Sequence, residues 1–594
     1  MTVDDIAERQ RLAKAQQQRV VDAVAPFFVE ACPGAGKTRV IVDRHLAQPS
    51  TPRQARALVS FTEASSAELR RRCHANGRPE LAEFPHYVGT IDGFLWRYLV
   101  RPALTPDRRW QRLDSWDRVR ARVNDRWYLS DFTFRRDPGE DQCRAELRQT
   151  TRNYPDYIKL AADGGIEAVE QAALSLRRSL THQGYVTGHE VRIFALYFAT
   201  RDEVGVRSNV VSRFSELIVD EAQDCSLYDL AILDQLRQAG LPLVLVGDLD
   251  QAIYQFRGAQ PAHVRRFASS LGQTIPLTGN WRSSPAICAL AHTLRQDTGV
   301  RRGPDEAVGD HHDESASVLV LKTKNNRLDG ACRTFSARAA ELGISEDQQL
   351  VVAHAGRRLP PAARSKISGA GLSPSKQLVW AAAMIEDAGT SKRQLDEAYS
   401  ILERALLRVW CPETDHHSIE SLCESHQINR GALRRLVTGL TLPSVDSGDF
   451  AGWCTGANAV LANHPPHGDL ARSSSRGALR ATGPDRTKRP CAVLGLQPTS
   501  APASRLRGEV IHQVKGDESD AVLMIVPDDD RTDELMEAWG TGARSDTLSE
   551  ALRVLYVAAT RARRLLAIAV PERSYCQLTQ HLRNCQVPFS ATTP

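Results

Sequence analysis

Short apolar runs that end at polar or glycine-rich residues recur along the chain, and stretches with helical spacing separate them. Residues 6–24 place apolar side chains at helical spacing, which predicts a helix. The run ending in Val29 predicts a buried strand, and Arg39, Val40, Ile41 and Val42 begin the next helical pattern. Further runs at 57–62, 87–94, 216–219 and 242–246 predict strands, with residues 64–72 helical after the first of these. Strands that are apolar throughout and alternate with helices argue for a parallel sheet covered on both faces. The predicted fold class is therefore α/β.

The polar residues that follow these runs suit phosphate chemistry. Ala31, Cys32, Pro33, Gly34, Ala35, Gly36, Lys37 and Thr38 lie between a predicted strand and a predicted helix. Gly34 and Gly36 let backbone N–H groups turn toward an anion, and the helix presents its positive end. Lys37 can reach the β- and γ-phosphates, and the Thr38 hydroxyl suits Mg²⁺. Ala31 stands where the usual pattern has its first glycine. Asp220 and Glu221 follow the run 216–219, so Asp220 is the expected Mg²⁺ ligand and Glu221 the group that orients and deprotonates water. After 242–246 come Gln251, Tyr254, Phe256 and Arg257. Gln251 is placed to sense a γ-phosphate, and Tyr254 and Phe256 offer stacking faces for bases. Gln16, Gln17 and Gln18 precede the first strand, and an amide among them could read an adenine edge; a solvated helix face fits them equally.

Composition narrows the class without naming it. With 594 residues, a prior of roughly 150 per domain suggests about four domains. A formal net charge of +5 permits a nucleic-acid partner and does not demand one. No apolar run approaches the roughly 20 residues that span a bilayer, and the start MTVDDIAERQ lacks a signal-peptide core, so no membrane partner and a cytoplasmic location are expected. The 12 cysteines form no C-x-x-C pair, which favours reduced thiols.

Two stretches stand apart from the strand–helix alternation. Residues 96–204 read mainly as helices and interleave Arg108, Arg109, Trp110, Arg112, Trp116, Arg118, Arg120, Arg122 and Trp127. Such a mixture can grip phosphates and stack bases, although amphipathic helices with solvated arginines have the same composition. Residues 419–440 are spaced as two short helices with a basic second one, fitting a helix-turn-helix that touches a duplex through Arg430, Arg434 and Arg435, or a plain helical hairpin. Cys411, His416, His417, Cys423 and His426 match no usual zinc spacing. Residues 465–507, dense in Pro, Ser, Gly and Arg, read as a basic linker.

Taken together, these motifs resemble the UvrD/Rep/PcrA group of superfamily 1 DNA helicases, from about Gln16 to Ala562. The elements occur in the family's order: the Ala31 to Thr38 loop, SFTEASSAELRRR at 60–72, GTIDGF at 89–94, DEAQD at 220–224, GDLDQAIYQFRGA at 247–259, LTGNWRSSPAI at 277–287, VIHQVKGDE at 510–518 and RVLYVAATRA at 553–562. The resemblance implies two RecA-like parallel-sheet lobes, each with a mainly helical accessory insertion. It divides the chain into a first lobe at 1–95 and 205–259 with an insertion at 96–204, and a second lobe at 260–365 and 505–594 with an insertion at 366–504. Strands of the second lobe are expected at 318–321, 350–353, 510–514, 521–526 and 565–570.

The resemblance also implies roles. Lys37, Asp220, Glu221, Gln251, Arg282 and Arg561 would be catalytic, with Arg282 and Arg561 reaching the γ-phosphate from the second lobe. ATP would be held by Gln16, the 31–38 loop, Arg39, Trp281 on the adenine and Glu518 on the ribose, with Mg²⁺ on Thr38 and Asp220. Phe61, Thr62, Tyr254, Phe256, Arg257 and His512 would touch single-stranded DNA, and Lys515 and Gly516 complete the loop of His512 and Glu518. Glu63-Ala64 and Asp92 depart from the family's usual Asn-Lys and His, which should weaken the grip on phosphates locally. The expected activity is an ATP-dependent helicase or translocase moving 3′ to 5′ on single-stranded DNA, with single-stranded and tailed duplex DNA as partners, in repair, recombination or phage defence. The alternative is a nucleotide-switched DNA-binding ATPase subunit of a repair or defence assembly that does not unwind alone.

Overall fold

In the computed structural model the chain forms two compact units, residues 1–104, 191–364 and 506–594 in one and residues 105–190 and 365–505 in the other. The structure describes all residues except 1–2, 48–53, 108, 114, 120, 136–142, 150–153, 254–259, 296–302, 315–316, 325–327, 361–362, 364–371, 388–389, 391, 412–418, 420–421, 424–425, 465–478, 495–505, 544 and 593–594.

The first unit contains two six-stranded sheets, both parallel throughout. One holds β1 (Phe27–Ala31), β2 (Ala55–Ser60), β3 (Tyr87–Thr90), β4 (Phe214–Val219), β5 (Leu243–Gly247) and β6 (Thr274–Leu277), in the spatial order β6-β1-β5-β4-β2-β3. Every residue of β1, β2 and β5 is buried, as a sheet with helices on both faces requires. Because the strands run the same way, the segments after β1, β2, β4 and β5 all emerge at one edge. That edge is where ligands bind in open parallel sheets.

The second sheet holds β7 (Val318–Thr323), β8 (Gln349–Ala353), β9 (Arg507–Val510), β10 (Ser519–Ile525), β11 (Ala562–Pro571) and β12 (Ser590–Thr592), in the order β9-β8-β10-β11-β7-β12. Its two faces sort by alternation. Val318, Val320, Leu350, Val352, Val522 and Met524 enter one core, whereas Leu319, Leu321, Val351, Ala353, Leu523 and Ile525 enter the other.

Two expectations are corrected here. The run 510–514 is not a strand: β9 ends at Val510, and Ile511–Gln513 form a 3₁₀ turn. Ile511 and Val514 are both buried in one core, and a 3₁₀ turn brings positions i and i+3 to the same side, so a short apolar run served either geometry. The stretch 274–277, assigned by sequence to the second lobe, instead pairs with β1 in the first sheet, Phe28 opposite Thr274 and Val29 opposite Ile275. The chain joins the second sheet's core with the helix Pro285–Leu294, through Ile287, Leu290 and Leu294.

The second unit packs the helices Pro374–Glu386, Lys392–Trp410, Arg430–Thr438 and Phe450–Ala462 around Trp380, Leu406, Trp410 and Trp453. Two two-stranded sheets, Gln111–Leu113 with Tyr185–Thr187 and Phe132–Arg135 with Arg144–Leu147, stand beside the helix Ile166–His182. Trp116 and Trp127 are buried in that core, so packing claims these rings and leaves no face for bases. In the basic helix Arg430–Thr438, capped by Asn429, Arg434 bonds the buried Glu403 at 2.6 Å and Arg430 approaches it at 3.7 Å. Two of the three arginines read as duplex contacts therefore serve an internal ion pair, and Arg435 is exposed. Cys411 and Cys423 are packed in the core, and His416 and His417 lie outside the described residues. Among the described residues no cluster of His, Cys, Asp and Glu could hold a metal ion, and no helix is long and apolar enough to cross a membrane.

Candidate nucleotide and strand site

The phosphate loop follows β1 directly. Cys32 N donates to Leu277 O of β6 at 2.9 Å, and Ala35 N donates back to Cys32 O at 3.2 Å, closing a tight turn. Gly34 and Gly36 have φ of 72° and 78°, a region open to glycine and strained for other residues. Gly34 is needed for space as well, since a Cβ there would lie 2.5 Å from Asn280 Oδ1 and 2.6 Å from Arg282 Cβ. The segment 280–283 is folded onto this loop: Trp281 N donates to Gly34 O at 3.0 Å, and Asn280 Oδ1 accepts from Arg282 N and Ser283 N. Lys37 and Thr38 open the helix Lys37–Ala47, with its positive end toward the loop. Arg39 pairs with Asp43 on the exposed side of that helix. On its inner side Arg44 donates to Glu216 of β4 at 2.6 Å and to the carbonyls of Val20, Val21 and Ala23, locking the helix to the sheet.

Asp220 and Glu221 follow β4. Asp220 is 2% exposed, and burial with the Glu221 charge pushes its carboxyl up to about 7, against the pull of Lys37 and Lys515. Burial acts in the same direction on Glu221, but Lys37, Lys515, a hydrogen bond from Gln223 and the charge of Arg561 together hold it below the usual carboxylate value. The two neighbours are thus driven apart, Asp220 toward the uncharged form and Glu221 toward the ionised one. Glu221 has φ of 56°, a strained value for a side-chain-bearing residue. A buried carboxylate incompletely balanced by the protein's own cations fits a divalent ion, with Asp220 and the Thr38 hydroxyl as the oxygen donors expected to hold Mg²⁺.

From Glu221 a chain of hydrogen bonds runs to the second sheet. Gln223 Nε2 donates to Glu221, and its Oε1 accepts from Asp248 N at 3.2 Å. Asp248 Oδ2 accepts from Gln251 Nε2 at 2.9 Å and from Tyr556 OH at 3.2 Å, and Gln251 Oε1 accepts from Arg561 Nη2 at 3.2 Å. Arg561 is 2% exposed, and its guanidinium also donates to Val557 O, Asp517 O and Thr560 Oγ1. Burial and neighbouring Arg282 lower it to about 10. Arg282 donates to Glu518 at 2.5 Å and to Thr560 O at 3.1 Å, and Arg563 also donates to Glu518. Burial works to raise the Glu518 carboxyl, but the two arginines hold it below its usual value. Lys515 reaches across to Asp224 at 2.6 Å, both side chains nearly buried.

Structure therefore gathers Lys37, Asp220, Glu221, Gln251 and Arg561 into one connected neighbourhood and links Arg282 to Glu518. It adds Gln223, Asp224, Asp248 and Tyr556, which sequence reasoning did not assign. Gln223 and Asp224 lay inside the quoted DEAQD motif and Tyr556 inside RVLYVAATRA, so a signal existed for position but none for partner.

At the other end, the helix Val3–Asp22 sets Gln10, Ala13, Lys14 and Gln17 on one face. Gln10 Nε2 donates to Val308 O and Gln17 Nε2 to Ala35 O, both at 2.9 Å. Lys14 Nζ lies 6.0 Å from the Trp281 ring centre. Gln16 bonds Thr278, accepting from its backbone N–H at 3.0 Å and donating to its Oγ1 at 3.1 Å.

Of the expected strand contacts, Tyr254, Phe256 and Arg257 lie outside the described residues. Phe61 follows β2 half-buried, and Thr62 is occupied as the cap of the helix Glu63–Ala75, accepting from Ser65 N at 3.1 Å. His512 stands beside His354, and burial first, with the proximity of His354 and Lys515 adding to it, keeps its imidazole below the ordinary value, favouring the neutral ring. Asp92, where the resembled family has His, accepts from Arg192 at 2.6 Å, and Arg192 also donates to Asp229 at 2.8 Å. Burial opposes the Arg192 charge, but Asp229 and Asp92 raise its pKa above the ordinary arginine value. The Asp92 charge is thus balanced within the protein, which lessens its expected repulsion of phosphates. Arg192→Ala should leave Asp229 buried without its cation and lower stability by about 3–5 kcal/mol, measurable by urea unfolding; a loss under about 1 kcal/mol would show the pair to be dispensable.

Comparison with known proteins matches two domain families. The UvrD/REP helicase N-terminal domain matches residues 12–271, and the UvrD-like helicase C-terminal domain matches residues 509–573. DNA helicase II of Salmonella typhimurium is 25% identical over 311 residues, covering 51% of this chain and 42% of that relative. ATP-dependent DNA helicase PcrA of Leuconostoc citreum is 26% identical over 291 residues, 47% of this chain and 38% of that protein. ATP-dependent DNA helicase UvrD2 of Mycobacterium tuberculosis is 26% identical over 348 residues, 53% and 49%. The chain thus spans less than half the length of these curated relatives.

Proposed function

Because the chain belongs to the UvrD/REP helicases, and because its phosphate loop, acidic pair and buried arginine meet in one network, we propose that it is an ATP-dependent DNA motor moving 3′ to 5′ on single-stranded DNA. The observation that carries this reading is the hydrogen-bond chain Glu221–Gln223–Asp248–Gln251–Arg561. It joins the expected base on the first sheet to a guanidinium on the second, so charge at the γ-phosphate is felt by both sheets.

In this reading Lys37, Arg282 and Arg561 neutralise the transferring phosphoryl group, and ionised Glu221 orients the attacking water and accepts its proton. Mg²⁺ on Thr38 and Asp220 would supply further charge neutralisation at the phosphates. Arg282 would exchange its Glu518 partner for phosphate, leaving Glu518 held by Arg563 with one oxygen released toward the ribose. Gln251 lies just before Tyr254 and Phe256 in sequence, so nucleotide state and base stacking would be coupled along a short stretch of chain.

The direct test is steady-state ATP hydrolysis with and without single-stranded DNA at two salt concentrations. Strong stimulation that fades with salt is expected, since phosphate contacts release counterions; hydrolysis indifferent to DNA would remove the motor reading. Phe61→Ala should keep basal hydrolysis and lower the affinity for the stimulating strand by about 5- to 150-fold, the effect of losing one stacked base, and an unchanged strand dependence would exclude Phe61 from the strand path.

A second reading, a nucleotide-switched ATPase subunit that binds DNA without unwinding it alone, is favoured by Glu63-Ala64, which replace the family's usual Asn-Lys. Brisk strand-stimulated hydrolysis with no separation of a tailed duplex would select it.

A further inference from the structure

The turn that carries Gln251 starts on the first sheet and is held by the second. It follows β5 as a 3₁₀ turn, Leu249–Gln251, in which Gln251 N donates to Asp248 O at 2.9 Å and Asp250 N to Asp248 Oδ1 at 3.2 Å. Beyond it Ile253 is fully buried, in the core that the second sheet's Val320, Leu350 and Val522 form with Leu290 and Leu555. Polar contacts anchor the same turn. Arg295, just past the helix Pro285–Leu294, donates to Asp250 at 3.1 Å, and Arg553 of the helix Asp546–Ala559 donates to Ala252 O at 3.0 Å.

The inner side of the turn closes a ring of hydrogen bonds. Tyr556 OH donates to Asp248 Oδ2, which also accepts from Gln251 Nε2, and Gln251 Oε1 accepts from Arg561 Nη2. Arg561 Nε then donates to Val557 O, beside Tyr556 on the same helix. A guanidinium has donors and no acceptor, so Gln251 must present its oxygen to Arg561, which leaves its nitrogen for Asp248. All four side chains are buried, so no bulk water stands ready to replace a lost partner. Tyr556 grips the very oxygen that orients the amide.

We infer that Tyr556 is a positioning residue for ATP hydrolysis: through Asp248 and Gln251 it holds the Arg561 guanidinium where the proposed function needs it, against the γ-phosphate. This rests on the role given there to Arg561, and deepens it by naming what sets that guanidinium. Without the hydroxyl, Asp248 and Gln251 are freer to rotate. Arg561 keeps its bonds to Val557 O and Asp517 O, and so its place in the fold, but its outer nitrogen loses a fixed partner.

The test is DNA-stimulated ATP hydrolysis by the full chain in four forms: wild type, Tyr556→Phe, Arg561→Ala and the double variant. Tyr556→Phe should lower kcat by about 10- to 100-fold, the cost of misplacing a catalytic group by about 1 Å, and leave KM for ATP unchanged. In the Arg561→Ala background, followed by single turnover because both rates are slow, the same substitution should change the rate by less than about twofold, since the group it positions is gone. An unchanged kcat in Tyr556→Phe, a rise in KM alone, or an equal loss in both backgrounds overturns the inference while leaving the role of Arg561 intact. Near-normal turnover in Arg561→Ala sinks that role, and this inference with it. If Tyr556→Phe melts below the assay temperature, Asp248→Asn carries the same expectations and the same refutations. It keeps the shape of the side chain but offers one acceptor oxygen where the ring and the turn use two.

Discussion

Lys37→Ala should abolish ATP turnover, by at least about a thousandfold, with the fold intact by circular dichroism. Lys37 opens the helix that faces the phosphate loop, and it acts on two groups at once. In the proposed reading it supplies positive charge to the γ-phosphate, and it is the foremost of the groups that hold the Glu221 carboxyl down against burial. Its loss should therefore raise the Glu221 pKa. A base with a raised pKa is protonated over a wider acid range, so the acid limb of any residual activity should move to higher pH. Turnover near the wild-type rate would remove Lys37 from the site. An unmoved acid limb in the residual activity would separate Glu221 from general-base work.

Arg561→Ala should lower turnover by roughly 10³- to 10⁵-fold while ATP still binds, as expected for a guanidinium that acts in the transition state. The residue is buried and reaches Gln251, Val557, Asp517 and Thr560. Such geometry needs a planar fork of donors, so Arg561→Lys, which keeps the charge, should fail to restore the rate. Near-normal turnover in the lysine variant would show that charge alone suffices. Because removing a buried cation also weakens the fold, thermal melting of both variants belongs with the kinetics.

The two substitutions bear on different ends of one network. Lys37 belongs to the first sheet's edge and acts on Glu221 through its charge, and Gln223, Asp248 and Gln251 connect Glu221 to Arg561 in the turn before β11. Their effects should be far from additive, since residues that act as a unit fail together.

What sequence alone determined was whatever depends on neighbours along the chain. Apolar runs without alternation predicted buried parallel strands, and the α/β class with two such sheets is what formed. The glycines at 34 and 36 marked a tight turn after β1, since positive φ is a local demand, and Asp220 and Glu221 stand just past a strand as their position after an apolar run implied. Tertiary structure decided what depends on partners distant in sequence. It set β6 beside β1, turned 511–513 into a 3₁₀ turn, buried Trp116 and Trp127, and gave Asp92 to Arg192 and Gln16 to Thr278. Each of these is a competition between equivalent local choices: an apolar run serves a strand or a turn, an indole packs a core or offers a face, and a carboxylate repels a phosphate or pairs with an arginine. Periodicity carries no information about the outcome, because the free energy that settles it comes from burial and pairing across hundreds of residues.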